Sequence, residues 1–371
     1  MAIRNHGFTN TIIGIIDSYF PGHGNSIFQN SDLLQYINIK TKAANRNSKS
    51  RASFANHYAI YVLIEDYVNH DFDKTGDYGD YDGSQFTVLL RRQRELPFGS
   101  KLQNHALNHR LNEEFKKYFP ESEYLPVIRE AHTNRYWINE NLLNININGK
   151  IYNISRSVKE IIEAYMDARK KEFNEFMAYC EEIARIQQEE PEKVIGFIQS
   201  LLRHDVDARV FEIVSFAILK EYYSDQKIFW GWEIDDLNEE NLQLYKTGKT
   251  NANDGGIDFV MKPLGRFFQV TETIDSNKYF LDIDKVQKYP ITFVVKTDLS
   301  LAQILQKVEE QAHSRYSIKS IVASYMKSIE EVINIKRLME IFDIVLSKDG
   351  GNAVIHEIIV QSKYEFDIND V

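Results

Sequence analysis

A single cysteine, Cys180, stands in 371 residues. One thiol excludes a disulfide framework and a cysteine-based zinc site, and fits a reducing compartment. Prolines number seven, and no Ser/Gly-rich linker occurs, which argues for continuous order rather than domains strung on flexible spacers. No apolar run approaches the roughly 20 residues of a membrane span. The N-terminus has no basic segment followed by an apolar stretch, so no signal peptide is expected. These absences together predict a cytoplasmic protein. An excess of basic residues is missing too. Lys and Arg total 44 against 54 Asp and Glu, a net charge of −10. Bulk charge therefore does not attract nucleic acid, and any DNA-binding face has to be a local patch on an acidic body.

What is present is a core-forming composition. Hydrophobic residues make up 43% and aromatics 12%, enough for a substantial interior. The length suggests two to three domains or one large α/β unit. Residues 40–51 carry Lys40, Lys42, Arg46, Lys49 and Arg51 with no acid. They read as an exposed basic loop, as do residues 91–101 with Arg91, Arg92, Arg94 and Lys101. Such runs are often merely solvated, but here they interleave with Asn, Gln and Ser, which can contact phosphates or bases. Between them, Phe54 to Tyr67 has helical spacing, and Phe86–Leu90 reads as a short strand. The acidic, glycine-rich residues 69–84 lack the acid spacing of a calcium loop ending in glutamate. His105 and His109 lack the adjacent glutamate of a zinc hydrolase helix.

Asn148-Gly149 marks a hairpin within 137–154. Residues 156–188 form one long amphipathic helix, which Pro191 ends or resets. A division is placed at 195/196, giving a mainly helical region, 1–195, with short hairpins, and a mixed α/β (α+β) region, 196–371. In the second region the predicted order is helix 206–223, strand 228–234, strand 257–261, strand 267–271, a short helix, strand 291–296, helix 301–313, a long helix 318–342 and a final strand 353–361.

The chemistry concentrates in Asn251-Ala252-Asn253-Asp254-Gly255-Gly256-Ile257-Asp258 and Phe267-Phe268-Gln269-Val270-Thr271-Glu272. Side chains alternate along a strand, so Phe268 and Val270 share one face while Gln269 and Thr271 share the other, beside Asp258. Glu272 points away unless a bulge intervenes. Asp258, the Gln269 side-chain oxygen and the Val270 carbonyl are the oxygen ligands that Mg²⁺ prefers. Such a metal would supply a hydrolytic nucleophile. Glu212, an acid among apolar residues on the upstream helix, is placed to support the site or ligate the metal.

These residues, in the order helix-Glu, strand, strand-Asp, strand-Gln, helix, strand, resemble the PD-(D/E)XK nuclease superfamily, and the wording is similar to Mrr-type and type II restriction endonucleases. The resemblance spans about residues 203–315, and Gly255, Gly256, Ile257, Asp258, Gln269 and Glu212 match residue by residue. It implies a restriction-endonuclease-like core: a mixed sheet flanked by helices. It also implies Mg²⁺-dependent cleavage of double-stranded DNA by a homodimer paired with a DNA methyltransferase. Asp258, Gln269, Thr271 and Glu212 would be the catalytic set, and Asp258, Gln269, Val270 and Glu212 the metal set. Lys42, Arg46, Lys49, Arg51, Arg91, Arg92, Arg94, Lys101, Asn251 and Asn253 would contact DNA. The helices at 156–188 and 318–342 are candidate dimer or packing surfaces. The chain departs from the pattern where Thr271 replaces the usual lysine. Lys278 is the nearest lysine downstream, and Lys262 the nearest on the Asp258 strand. The departure keeps two alternatives open: a non-cleaving DNA-binding protein on the same fold, and a repair or RNA-directed nuclease.

Overall fold

Hydrophobic spacing and turn chemistry account for most elements in the computed structural model, which describes residues 5–41, 50–75, 78–100, 102–186, 189–248 and 257–366 (side chains of 50–53 excepted). The chain divides into two compact units, Met1–Glu175 and Phe176–Val371. The sequence pattern places a division at 195/196; the structural division falls within a helix.

The first unit opens with helices α1 (Thr9–Tyr19), α2 (Gly24–Asn30), α3 (Asp32–Thr41), α4 (Ser50–Asn69) and α5 (Phe72–Thr75). Next come β1 (Ser84–Gln85), α6 (Phe86–Glu95), α7 (Leu111–Tyr118), β2 (Val127–Glu130), β3 (Arg135–Ile138), β4 (Asn144–Ile147), β5 (Lys150–Asn153) and the start of α8 (Ser155–Ile186). Phe54, Tyr58, Tyr61 and Val62 of α4 are buried at helical steps, as their spacing requires. Asn148 and Gly149 both have positive φ, 52° and 85°, the backbone of the tight turn that closes a two-residue hairpin.

Phe86–Leu90 is a correction, because it is the first half of α6 rather than a strand. Phe86, Leu89, Leu90 and Gln93 turn inward at three- and four-residue steps, while Val88 is exposed. A five-residue apolar run cannot distinguish the two periods; its charged continuation carries the helical phase.

In the second unit, α8 ends and α9 (Pro191–Leu201) begins with proline at its first turn, where the missing N–H costs nothing. Then come α10 (Ala208–Ser224), β6 (Lys227–Trp230), β7 (Asn238–Asn241), β8 (Gln243–Lys246), β9 (Phe259–Lys262), β10 (Arg266–Thr271), α11 (Ser276–Lys285), β11 (Ile291–Val295), α12 (Leu301–Arg315), α13 (Lys319–Lys327), β12 (Ile329–Asn334), α14 (Ile335–Ser347) and α15 (Gly351–Phe366). Five strands form one mixed sheet in the order β12-β11-β10-β9-β8. The segment β8-β9-β10 is an antiparallel meander, and β11 and β12 continue parallel to β10. The fold is therefore mixed α and β, as expected.

Both sheet faces are covered. Leu244, Phe259, Met261, Phe268, Val294 and Ile333 share a core with α10, α14 and α15. Phe293, Val295 and Val332 share another with Tyr279, Phe280 and Ile283 of α11, Ile304 and Val308 of α12, and Val322 of α13.

Three expectations in this unit are overturned. Residues 318–342 do not form one helix: Ser328 ends α13, β12 follows as the outer strand beside β11, and Asn334 caps α14 by accepting the Arg337 N–H. Residues 353–361 are not a strand. In α15, Val354, Ile355, Ile358 and Ser362 are buried at helical spacing. Both segments are rich in β-branched residues, and packing decided their state. The strand predicted at 228–234 ends at Trp230 and pairs with β7 in its own ribbon, outside the five-stranded sheet.

Candidate functional site

The site grows from the pairing of β9 with β10. Phe259 stands opposite Phe268, both fully buried on the α10 face. Asp258 immediately precedes β9, outside the paired residues. Its backbone N–H donates to the Phe268 carbonyl at 3.0 Å. Gln269 follows Phe268 along β10 and therefore leaves the α10 face. The Asp258 carboxylate also accepts the Val270 N–H at 2.6 Å through Oδ2. That bond fixes the carboxylate across the strand junction.

Gln269 is 7% exposed. Its amide Nε2 donates to the Val270 carbonyl at 3.4 Å, while Oε1 is buried with no hydrogen-bond partner among the described residues. A buried acceptor without a donor costs free energy, so the carbonyl oxygen is placed against its own interest. Thr271, two residues on, is 2% exposed. Its hydroxyl donates to the Thr273 carbonyl at 3.1 Å and accepts the Thr273 N–H at 3.3 Å. It also accepts a proton of the Lys278 ammonium at 3.1 Å, which uses its full bonding capacity. The sequence reading leaves this face open beneath a helix-covered apolar one. In the structure it is covered as well, by α11 and α12, which is why Gln269 and Thr271 are buried.

Glu212 lies elsewhere. It is 5% exposed and its carboxylate stands 2.8 Å from the ammonium of Lys246. That contact is an ion pair by distance, at an angle that makes no hydrogen bond. Lys246 is opposite Phe259, so the pair occupies the α10 face, the reverse of the one Gln269 occupies. Glu272 points away from Gln269, as alternation requires. It binds the buried Lys296 at 2.9 Å, and Lys296 also donates to the Val206 carbonyl. Sequence reasoning missed Lys246 and Lys296. Lys246 closes β8 two residues after the buried Leu244, and Lys296 follows β11 two residues after the buried Val294, and that was the available signal.

Of the DNA-contact candidates, Lys42, Arg46, Lys49, Lys101, Asn251 and Asn253 lie outside the described residues, as do Gly255, Gly256 and the side chain of Arg51. Arg91, Arg92 and Arg94 belong to helix α6, not to a loop. Arg92 makes a two-pronged bond with Glu65, at 2.7 and 2.9 Å, and Arg94 donates from Nε to the Leu102 carbonyl at 3.1 Å. Arg91 is exposed. The second basic run is thus partly consumed by internal contacts.

Among the described residues, no three His, Cys, Asp or Glu side chains are grouped around a common point. The Asp258 carboxylate and the unpaired Gln269 oxygen nevertheless suit a hard cation such as Mg²⁺, which is commonly held by one or two carboxylates and keeps several waters. No helix among the described residues is long and apolar enough to cross a membrane. No protein-family model, curated protein or solved structure matches the chain.

Proposed function

We propose that the second unit is a nuclease of the PD-(D/E)XK type, acting with Mg²⁺ on double-stranded DNA as a cytoplasmic type II restriction endonuclease. The observation that carries this reading is the Asp258 carboxylate held on the Val270 N–H, next along β10 to Gln269, whose side-chain oxygen is buried without a donor. Their setting supports it: a helix, an antiparallel three-stranded meander, a helix and a parallel strand, α10-β8-β9-β10-α11-β11.

In this reading the Asp258 carboxylate and Gln269 Oε1 would hold Mg²⁺, which would polarise the phosphate and lower the pKa of a water. The Val270 N–H orients the carboxylate. The aromatic pair Phe259 and Phe268 anchors β9 and β10 next to Asp258 and Gln269. Glu212 is left out of the metal set, since Lys246 neutralises it on the other face. A homodimer is the expected partner arrangement for a palindromic target, with a DNA methyltransferase as functional companion. The exposed Arg91 and the basic residues of 40–51 are the candidate phosphate contacts.

A second reading, a DNA-binding module that does not cut, is favoured by Thr271 standing where lysine is usual. Incubation of unmethylated plasmid with Mg²⁺ separates the two. Discrete fragments, lost in Asp258→Ala, support the nuclease. Retention of DNA on a gel with no cleavage in Mg²⁺ or Mn²⁺ refutes it in favour of the binding module.

A further inference from the structure

We infer that Lys278 supplies from helix α11 the ammonium group that strand β10 lacks at Thr271. The inference rests on the nuclease reading and adds a residue to it. Thr271 is two positions beyond Gln269, on the same side of the strand, and its hydroxyl holds the Lys278 ammonium at 3.1 Å. The cation therefore arrives where a lysine at position 271 would point, by a different route.

Three features of α11 fix that route. Asp275 caps the helix by accepting the Asn277 N–H at 2.9 Å. The Ser276 N–H is bound by Gln311 of α12 at 3.0 Å. Tyr279 and Phe280 are buried, which sets the rotation of the first turn and leaves Lys278 beside the end of β10. A cation in the first turn of a helix opposes the helix dipole, so the local fold gains nothing from lysine at this position.

The other lysines around the sheet are committed. Lys246 faces Glu212 at 2.8 Å, and Lys296 is held by Glu272 and the Val206 carbonyl. Lys262 is four residues along β9 from Asp258, roughly 13 Å away at the rise of an extended strand, and lies over the Tyr245 ring. Lys278 is bound by a neutral hydroxyl, with no carboxylate within ion-pair distance among the described residues. Its charge is left available to an anion.

In hydrolysis, a water oxygen bonds to phosphorus as one P–O ester bond breaks. The water gives up a proton and the departing oxygen takes one. The Lys278 ammonium stays protonated throughout and offsets the negative charge that builds on the phosphoryl oxygens and the attacking water. It is not a metal ligand, and two measurements on the full chain use that distinction.

The first is single-turnover plasmid cleavage in Mg²⁺. The second is Mn²⁺ binding followed by electron paramagnetic resonance, without DNA. Lys278→Ala is expected to slow cleavage by about 10²–10³-fold, the loss typical of removing one electrostatic donor. Its Mn²⁺ affinity should be equal to or tighter than the parent's, because a positive charge has left the neighbourhood. Asp258→Ala should lose both cleavage and Mn²⁺ binding. Adding Thr271→Lys to Lys278→Ala should recover about tenfold or more of the lost rate by returning the charge through the strand.

Parent-like cleavage by Lys278→Ala, with Asp258→Ala inert, overturns the role of Lys278 and leaves the nuclease reading intact. Joint loss of cleavage and Mn²⁺ binding in Lys278→Ala shows a merely structural role and overturns it too. A parent chain that cuts no DNA in any divalent metal overturns both readings together.

Discussion

The two faces of the five-stranded sheet handle buried polar groups in opposite ways. On the α10 face, Glu212 and Lys246 neutralise each other between aromatic and aliphatic neighbours. On the α11 face, Gln269 Oε1 is left without a donor, and Lys278 has a hydroxyl where an acid would bind it more strongly. A closed pair inside a core contributes little net stability, but opening it is costly. An unclosed group costs stability in the folded protein and is available to a ligand. The contrast teaches where to look: burial marks Glu212 and Gln269 alike as unusual, yet Glu212 has an opposite charge beside it and the Gln269 oxygen has no donor.

The strongest way to break this contrast is through the closed pair. Glu212→Gln strands the Lys246 charge in the core and should destabilise the second unit by about 3–5 kcal/mol in urea unfolding. Lys246→Met added to it should restore most of the loss. Cleavage by the folded fraction should persist. If it vanishes while the fold holds, Glu212 reaches the metal and the two faces are not separate in function.

Where β9 meets β10, Asp258→Ala should lower cleavage by about 10²–10³-fold or more, with a smaller stability cost from the unbonded Val270 N–H. A mutant that still cuts at the parental rate would remove that junction from the chemistry. Gln269→Leu sharpens the comparison further. It replaces an amide by an apolar group of similar size, so unfolding should show stability unchanged or raised by about 1 kcal/mol while cleavage falls. A clear loss of stability would mean that the buried oxygen is satisfied in solution.

The smallest effect concerns Cys180, buried in the α10-side core. Desolvation pushes its thiol up to about 12, so the folded protein holds it protonated at pH 8. A thiol-specific reagent should label it only as the unit unfolds. Because the folded value is raised, the thiol takes away stability as pH climbs above the free value of about 8.5. Rapid labelling under native conditions would show that the core on the α10 face opens locally.

Much of this architecture was legible in the residues. The Asn148-Gly149 hairpin, the long helix after it, the helix carrying Glu212 and strands β9, β10 and β11 follow from turn chemistry and hydrophobic period. Helix α12 does too, and Ser300 closes its N-terminus in a full capping box with Gln303. The misread segments, 86–90, 318–342 and 353–361, are short apolar or β-branched stretches whose local preference is ambiguous. Val354 to Ile359 looks like a strand in isolation and became a helix because its partners are α10 and α14. The same limit hid the Glu212–Lys246 pair. Its members are 34 residues apart, and nothing local announces that two charges will meet inside a core.

Alternation along β10 by itself determined that Gln269 and Thr271 share a side and that Glu272 does not, because successive side chains on an extended backbone must oppose each other. Only the tertiary structure decided what each side meets. It seated Glu212 against Lys246, covered the Gln269 face with α11 and α12, and brought Lys278 to Thr271. Those outcomes depend on which helix packs over which strand, a matter of global packing that no local period encodes.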